Sequence, residues 1–95
     1  MNKFEAVIIL EPNTEETIIE EILELIKNKI EEDDGKVTNL EKIGLKYLAY
    51  EIKNNKQGYY IVIQFKSEQS TTAELERLFR ITEEVMKFIV VRKDD

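Results

Sequence analysis

The sequence has 95 residues, four of them tyrosines and none of them histidine or cysteine. Acid–base or metal chemistry would therefore fall to tyrosines and carboxylates, without the usual neutral-pH proton shuttle or soft metal ligand. The carboxylates come mostly as neighbours, Glu15-Glu16, Glu20-Glu21 and Glu31-Glu32. Adjacent side chains on a helix diverge, so these pairs do not converge on one ligand. Glu31-Glu32-Asp33-Asp34-Gly35 lacks the alternating oxygen ligands that a hard-cation loop sets around its turn glycine. The loop Glu11-Pro12-Asn13-Thr14 sits where small folds can cradle phosphate as an acylphosphatase does, but it has no glycine or arginine, and its acidic neighbours repel an anion. The sequence predicts no catalytic residue, no metal ligand, no cofactor and no small-molecule substrate.

What remains is ion pairing and apolar contact. The net charge of −6 taken alone argues against a polyanionic partner. Its distribution is polarised, however. Residues 11 to 34 carry ten acidic side chains against Lys27 and Lys29, whereas residues 35 to 56 carry five lysines against Glu41 and Glu51. Residues 77 to 93 add Arg77, Arg80, Lys87, Arg92 and Lys93 against Glu83 and Glu84. An acidic helix on one side and basic strands on the other would let an overall anion offer a cationic patch to a phosphate backbone.

The elements that position these charges are legible from spacing. Leu48 to Ile52 and Tyr59 to Phe65 flank a polar connector, Lys53 to Gly58, and read as a hairpin. The strand from Tyr59 is apolar on both pleat faces, which predicts a central place in a sheet. Phe4 to Leu10 reads as a first strand beside it. Asn13 with Glu16 predicts a capping box opening a helix, whose stripe is Ile18, Ile19, Ile22, Leu23, Leu25, Ile26 and Ile30, and which ends near Asp33-Asp34-Gly35. Val37 to Ile52 is a long strand with a bulge or bend at Gly44. Thr71 with Glu74 predicts a second capping box, with Leu75, Leu78 and Phe79 turned inward. Val85 to Arg92 is the last strand.

This order of strand, helix, strand, strand, helix, strand in one domain predicts an α+β, ferredoxin-like split β-α-β sandwich. It is a four-stranded antiparallel sheet with both helices on one face and the first and third strands central. The other face would present Val7, Ile9, Tyr60, Val62, Ile89 and Val91 among Glu5, Gln64 and Lys87, and a patch that apolar marks an interface. Gln57 to Gln64 partly follows the strand of RNA-recognition motifs. Tyr60 replaces its small residue, and Ile61 and Gln64 its aromatics, so the sheet is not an aromatic stacking platform.

Phe4-Glu5, Pro12-Asn13, Gly44-Leu45-Lys46-Tyr47-Leu48-Ala49-Tyr50-Glu51-Ile52, Gln57-Gly58-Tyr59-Tyr60, Glu74-Leu75-Glu76-Arg77, Arg80-Ile81 and Val90-Val91 run nearly end to end through the chain. In these residues it resembles the bacterial small-subunit ribosomal protein S6 family. The resemblance implies the same ferredoxin-like fold, a non-catalytic role in the small ribosomal subunit, and binding to the central domain of its RNA together with ribosomal protein S18. A cytoplasmic protein with no membrane partner, monomeric when free, is expected. The expected RNA contacts are Lys3, Lys46, Arg80, Lys87 and Arg92, and the expected partner contacts are Tyr60, Val62 and Ile89. Ile43, Leu45 and Tyr47 stand where many relatives carry aromatic or basic residues, which predicts fewer phosphate contacts from that strand. The alternative, from another class, is a ferredoxin-like module whose bare sheet face pairs two copies.

Overall fold

A computed structural model describes residues 1 to 93. The elements are β1 (Asn2–Leu10), α1 (Glu16–Glu32), β2 (Lys36–Ile52), β3 (Asn55–Ser67), α2 (Gln69–Ile81) and β4 (Val85–Arg92). They form one sheet in the order β2-β3-β1-β4 with every neighbouring pair antiparallel. The predicted architecture is present, with β1 and β3 central.

The core follows from pleat parity. Phe4, Ala6, Ile8 and Leu10 of β1 and Ile61, Ile63 and Phe65 of β3 are buried together with Ile19, Ile22, Leu23, Ile26 and Ile30 of α1 and Leu75 and Phe79 of α2. Both helices therefore cover the same sheet face. Each of the isoleucine, leucine and phenylalanine side chains contributes about 1.5–3 kcal/mol by leaving water. Phe4 and Phe65 stack at 5.5 Å between ring centroids, and Phe79 meets Phe88 at 5.2 Å. Leu25, predicted for the inward stripe, is instead 52% exposed. The helix's inward arc is taken by Ile19, Ile22, Leu23, Ile26 and Ile30, which leaves Leu25 on its flank.

Neither capping box forms. The N-cap of α1 is Glu15, extended and without a side-chain cap hydrogen bond. The Thr14 hydroxyl and N–H both donate to the Glu11 carbonyl, at 2.7 and 3.2 Å, which holds Asn13 in a turn before the helix. The N-cap of α2 is Glu68, and Thr71 lies inside the first turn, fully buried, donating to Asp33 Oδ2 at 3.4 Å. Burial of Thr71 and Thr72 sets the phase of α2, and that phase takes Thr71 away from the cap.

The β2–β3 connector is also shorter than predicted. Lys53 and Asn54 both have positive φ, 50° and 66°, and Ile52 pairs with Asn55, as a two-residue type I′ turn requires. Residues 56 to 58 belong to β3. They are polar because this arm runs past β1, whose last partner on β3 is Tyr59. Gly44, with φ +95°, sits at a register shift after Lys42, which is the predicted bulge.

The C-terminus of α1 separates two duties usually given to one glycine. Asp34 N–H donates to the Glu31 carbonyl at 3.1 Å and Gly35 N–H to the Ile30 carbonyl at 2.9 Å, the two bonds of a Schellman motif. Asp34 takes the left-handed conformation, φ 64°. Gly35 is required for space, since a Cβ there would lie 2.7 Å from the carbonyl oxygens of both Ile30 and Lys66. Asp34→Gly is expected to raise stability by up to about 1 kcal/mol by relieving the left-handed side chain. Gly35→Ala is expected to lower it, because both clashing atoms are backbone. Thermal melts of the two variants check the assignment, and a Gly35→Ala protein as stable as the parent would refute it.

Candidate protein and RNA interface

The odd-numbered residues of β1 face away from the helices. Register places Val7 between Val62 and Ile89, Ile9 between Tyr60 and Lys87, and Glu5 between Gln64 and Val91. Val62, Val7 and Ile89 thus form an apolar ridge across the three strands β3, β1 and β4, and no helix covers it. Ile89 is 49% exposed and Val91 40%, while Val7, Tyr60 and Val62 are half-buried. Of the three expected partner contacts, Val62 and Ile89 lie on this ridge on either side of Val7, and Tyr60 stands in the next row opposite Ile9.

One end of the open face is closed by the hairpin arm. A Cβ on Gly58 would lie 2.4 Å from Ile9 Cγ2 and 3.1 Å from Met86 Cε, so the absence of a side chain lets the arm approach. Asn55 Nδ2 reaches Met86 Sδ at 3.3 Å. Lys87 Nζ donates to the Tyr50 hydroxyl at 2.7 Å and lies 5.2 Å from the centroid of its ring. These contacts explain why Ile9 is only 8% exposed on a face without helices. They also show Tyr50 positioning Lys87, a relation that sequence separation concealed.

The expected basic residues divide between two sides. Lys3 lies on the open face opposite Lys66, Lys87 beside Ile9, and Lys46 on the arm opposite Gly58. Arg80 is on α2, exposed, its guanidinium 5.6 Å from the centre of the Phe88 ring and 3.8 Å from Glu76. Arg92 pairs with Phe4 in register, on the helix side, and its Nη2 donates to Asn2 Oδ1 at 2.8 Å. Lys42 is removed from the basic pool that the sequence suggests. Its ammonium pairs with Glu16 at 2.9 Å and with Glu20, which holds the Glu16 carboxyl below its usual value and raises the Lys42 ammonium. Among the described residues there is no cluster of three or more potential metal-binding side chains, and no helix is long and apolar enough to cross a membrane.

The arrangement is a ferredoxin-like α+β sheet with both helices on one face and apolar and cationic side chains on the other. Comparison with known proteins is specific. Residues 3–92 match the family model described as ribosomal protein S6. The chain is 39% identical over 94 residues to the small ribosomal subunit protein bS6 of Carboxydothermus hydrogenoformans, covering 99% of this chain and 98% of the relative. It is 43% identical to the bS6 protein of Helicobacter acinonychis, of which it spans 66%. Its structure is similar to the crystal structure of 30S ribosomal protein S6 from Thermotoga maritima, with a TM-score of 0.89 and 34% identity over 97% of this chain and 87% of that one. The chain belongs to the ribosomal protein S6 family, whose members named here are ribosomal proteins of the small subunit and not enzymes.

The Lys42 clamp gives a pH test. A carboxyl whose folded pKa is lowered contributes stability that is present above the unfolded value and is lost as pH falls through the folded one. Lys42→Gln should therefore lower the melting temperature at pH 7, and the gap should close on acidification below the ordinary Glu value of 4.5. A gap that persists in acid would assign Lys42 a packing role instead.

Proposed function

We propose that this chain is a structural constituent of the small ribosomal subunit that binds the central domain of its RNA together with ribosomal protein S18. The carrying observation is the uncovered ridge of Val62, Val7 and Ile89, with Tyr60 beside it, in a chain of the S6 family. An apolar patch of this kind is stable against a protein, and S18 is the occupant this reading assigns. Tyr60, Val62 and Ile89 contact it.

Lys3, Lys46, Arg80, Lys87 and Arg92 contact phosphates, where cations give affinity without reading sequence. RNA shape then supplies specificity. Arg80 and Lys87 lie over the rings of Phe88 and Tyr50, a cation–ring attraction that restricts where each charge sits. The free protein is a monomer on this reading, its face kept for a different partner. A tight homodimer in sedimentation would support the pairing alternative.

The test is titration of labelled central-domain RNA with the protein, with and without S18, at two salt concentrations. Salt-sensitive binding that tightens with S18 is expected. Arg80→Ala should reduce the slope of log affinity against log salt by about one, the value of one lost phosphate contact. Val62→Asp with Ile89→Asp should abolish the effect of S18 while leaving the fold intact, since neither side chain belongs to the buried core. Absence of RNA binding by the folded protein under both conditions would overturn the proposal.

A further inference from the structure

Sheet register assembles four lysines that the sequence scatters. Lys36 pairs with Lys66, and Lys66 with Lys3. The Lys93 backbone N–H donates to the Lys3 carbonyl at 2.8 Å, which continues the line past β4. Phe65 and Phe4 are buried and Val37 packs on the core, so their neighbours Lys66, Lys3 and Lys36 turn to the open face. Lys93 is there as well, since its Nζ lies 3.9 Å from Glu5 Oε2. One lysine for each strand then spans about 14 Å, from three inter-strand steps of about 4.8 Å.

Such a row is unfavourable by itself. Like charges directly opposite one another destabilise a sheet. Among the described residues, Lys3, Lys36 and Lys66 make no ion pair and no side-chain hydrogen bond. Lys42, on the helix side, has two glutamates for one ammonium. A depression of about 480 Å³ runs beside the row, lined by Lys3, Lys66, Lys93, Thr38, Gln64 and Glu5 among others. Glu5 is already shared between Lys93 and Gln64, the latter donating at 3.2 Å. Among the described residues, the charge left over on Lys3, Lys36 and Lys66 is positive and has no partner.

We infer that Lys36, Lys66, Lys3 and Lys93 form a phosphate-backbone subsite for RNA at this end of the open face. The inference rests on the proposed function and extends its contact set by three lysines. Ammoniums are point charges that accept phosphate in many orientations, and a line of them suits a polymer with regularly spaced anions. The row reads charge and not sequence. Only the Gln64, Glu5 and Val91 row separates it from the apolar ridge, so RNA on the lysines and a protein on the ridge would lie side by side.

The test compares the parent, Lys36→Gln/Lys66→Gln, Lys36→Arg/Lys66→Arg and a Lys27→Gln control on the exposed surface of α1. Each is titrated over a series of salt concentrations with central-domain RNA plus S18, and separately, over a lower salt range without S18, with a short RNA duplex of unrelated sequence. The Gln pair should reduce the salt slope by about two on both RNAs, while the Arg pair and the control keep it. Without RNA the Gln pair should melt higher than the parent at low ionic strength, with the difference fading as salt is added. Unchanged slopes for the Gln pair, with the parent binding normally, would overturn the subsite and leave the assembly role standing. A parent that fails on central-domain RNA while the duplex slopes still fall by two would overturn the assembly role and keep the subsite. Full RNA slopes with lost S18 binding would reassign the row to a protein and overturn it.

Discussion

The structure depends on one constraint, the two-sided apolar character of the central strands β1 and β3. Their even and odd side chains on β1 are both largely hydrophobic, yet a domain of this size has helices enough to cover only one face. Phe4, Ala6, Ile8 and Leu10 take the covered side. Val7 remains outside with Val62 and Ile89, and Ile9 is shielded by its neighbours Tyr60 and Lys87 and by the close approach of the hairpin arm at Gly58. The open face is thus the unfilled half of the same pattern that builds the core. A shift of one residue in register would exchange the two sets and dismantle both.

The hairpin arm shows how a small domain uses polar sequence away from its core. Past Tyr59 there is no β1 partner, so the arm needs no apolar alternation and is held by its turn, by Gly58 against Ile9 and by Lys87 against Tyr50. Gly58 is not a turn residue, as its position beside the polar connector suggests. It is a contact residue, and the arm's place over the sheet follows from its lack of a side chain.

Charge in this protein is arranged by face. Glu16 and Glu20 of α1 meet Lys42 on the helix side, while lysines from four separate segments gather on the open side. The overall charge of −6 therefore says little about any one surface. The field that a polyanion meets is set by the side chains within a Debye length of it, about 8–10 Å at physiological salt.

The element order, the central strands, the open face and its apolar residues could be read from the sequence, because strand alternation and helical spacing are local and the burial they demand is strong. The S6 resemblance was likewise carried by contiguous residues such as Gly44 to Ile52. The helix caps could not be read that way. Asn13-Glu16 and Thr71-Glu74 have cap spacing, but packing of Thr71 and the turn at Glu11 set where each helix begins. Nor could the pairing of Lys87 with Tyr50, or the alignment of Lys36, Lys66, Lys3 and Lys93. Those depend on which residues face one another across strands, and register is fixed by the tertiary fit of the whole sheet, including its bulges, and not by any stretch of the chain alone.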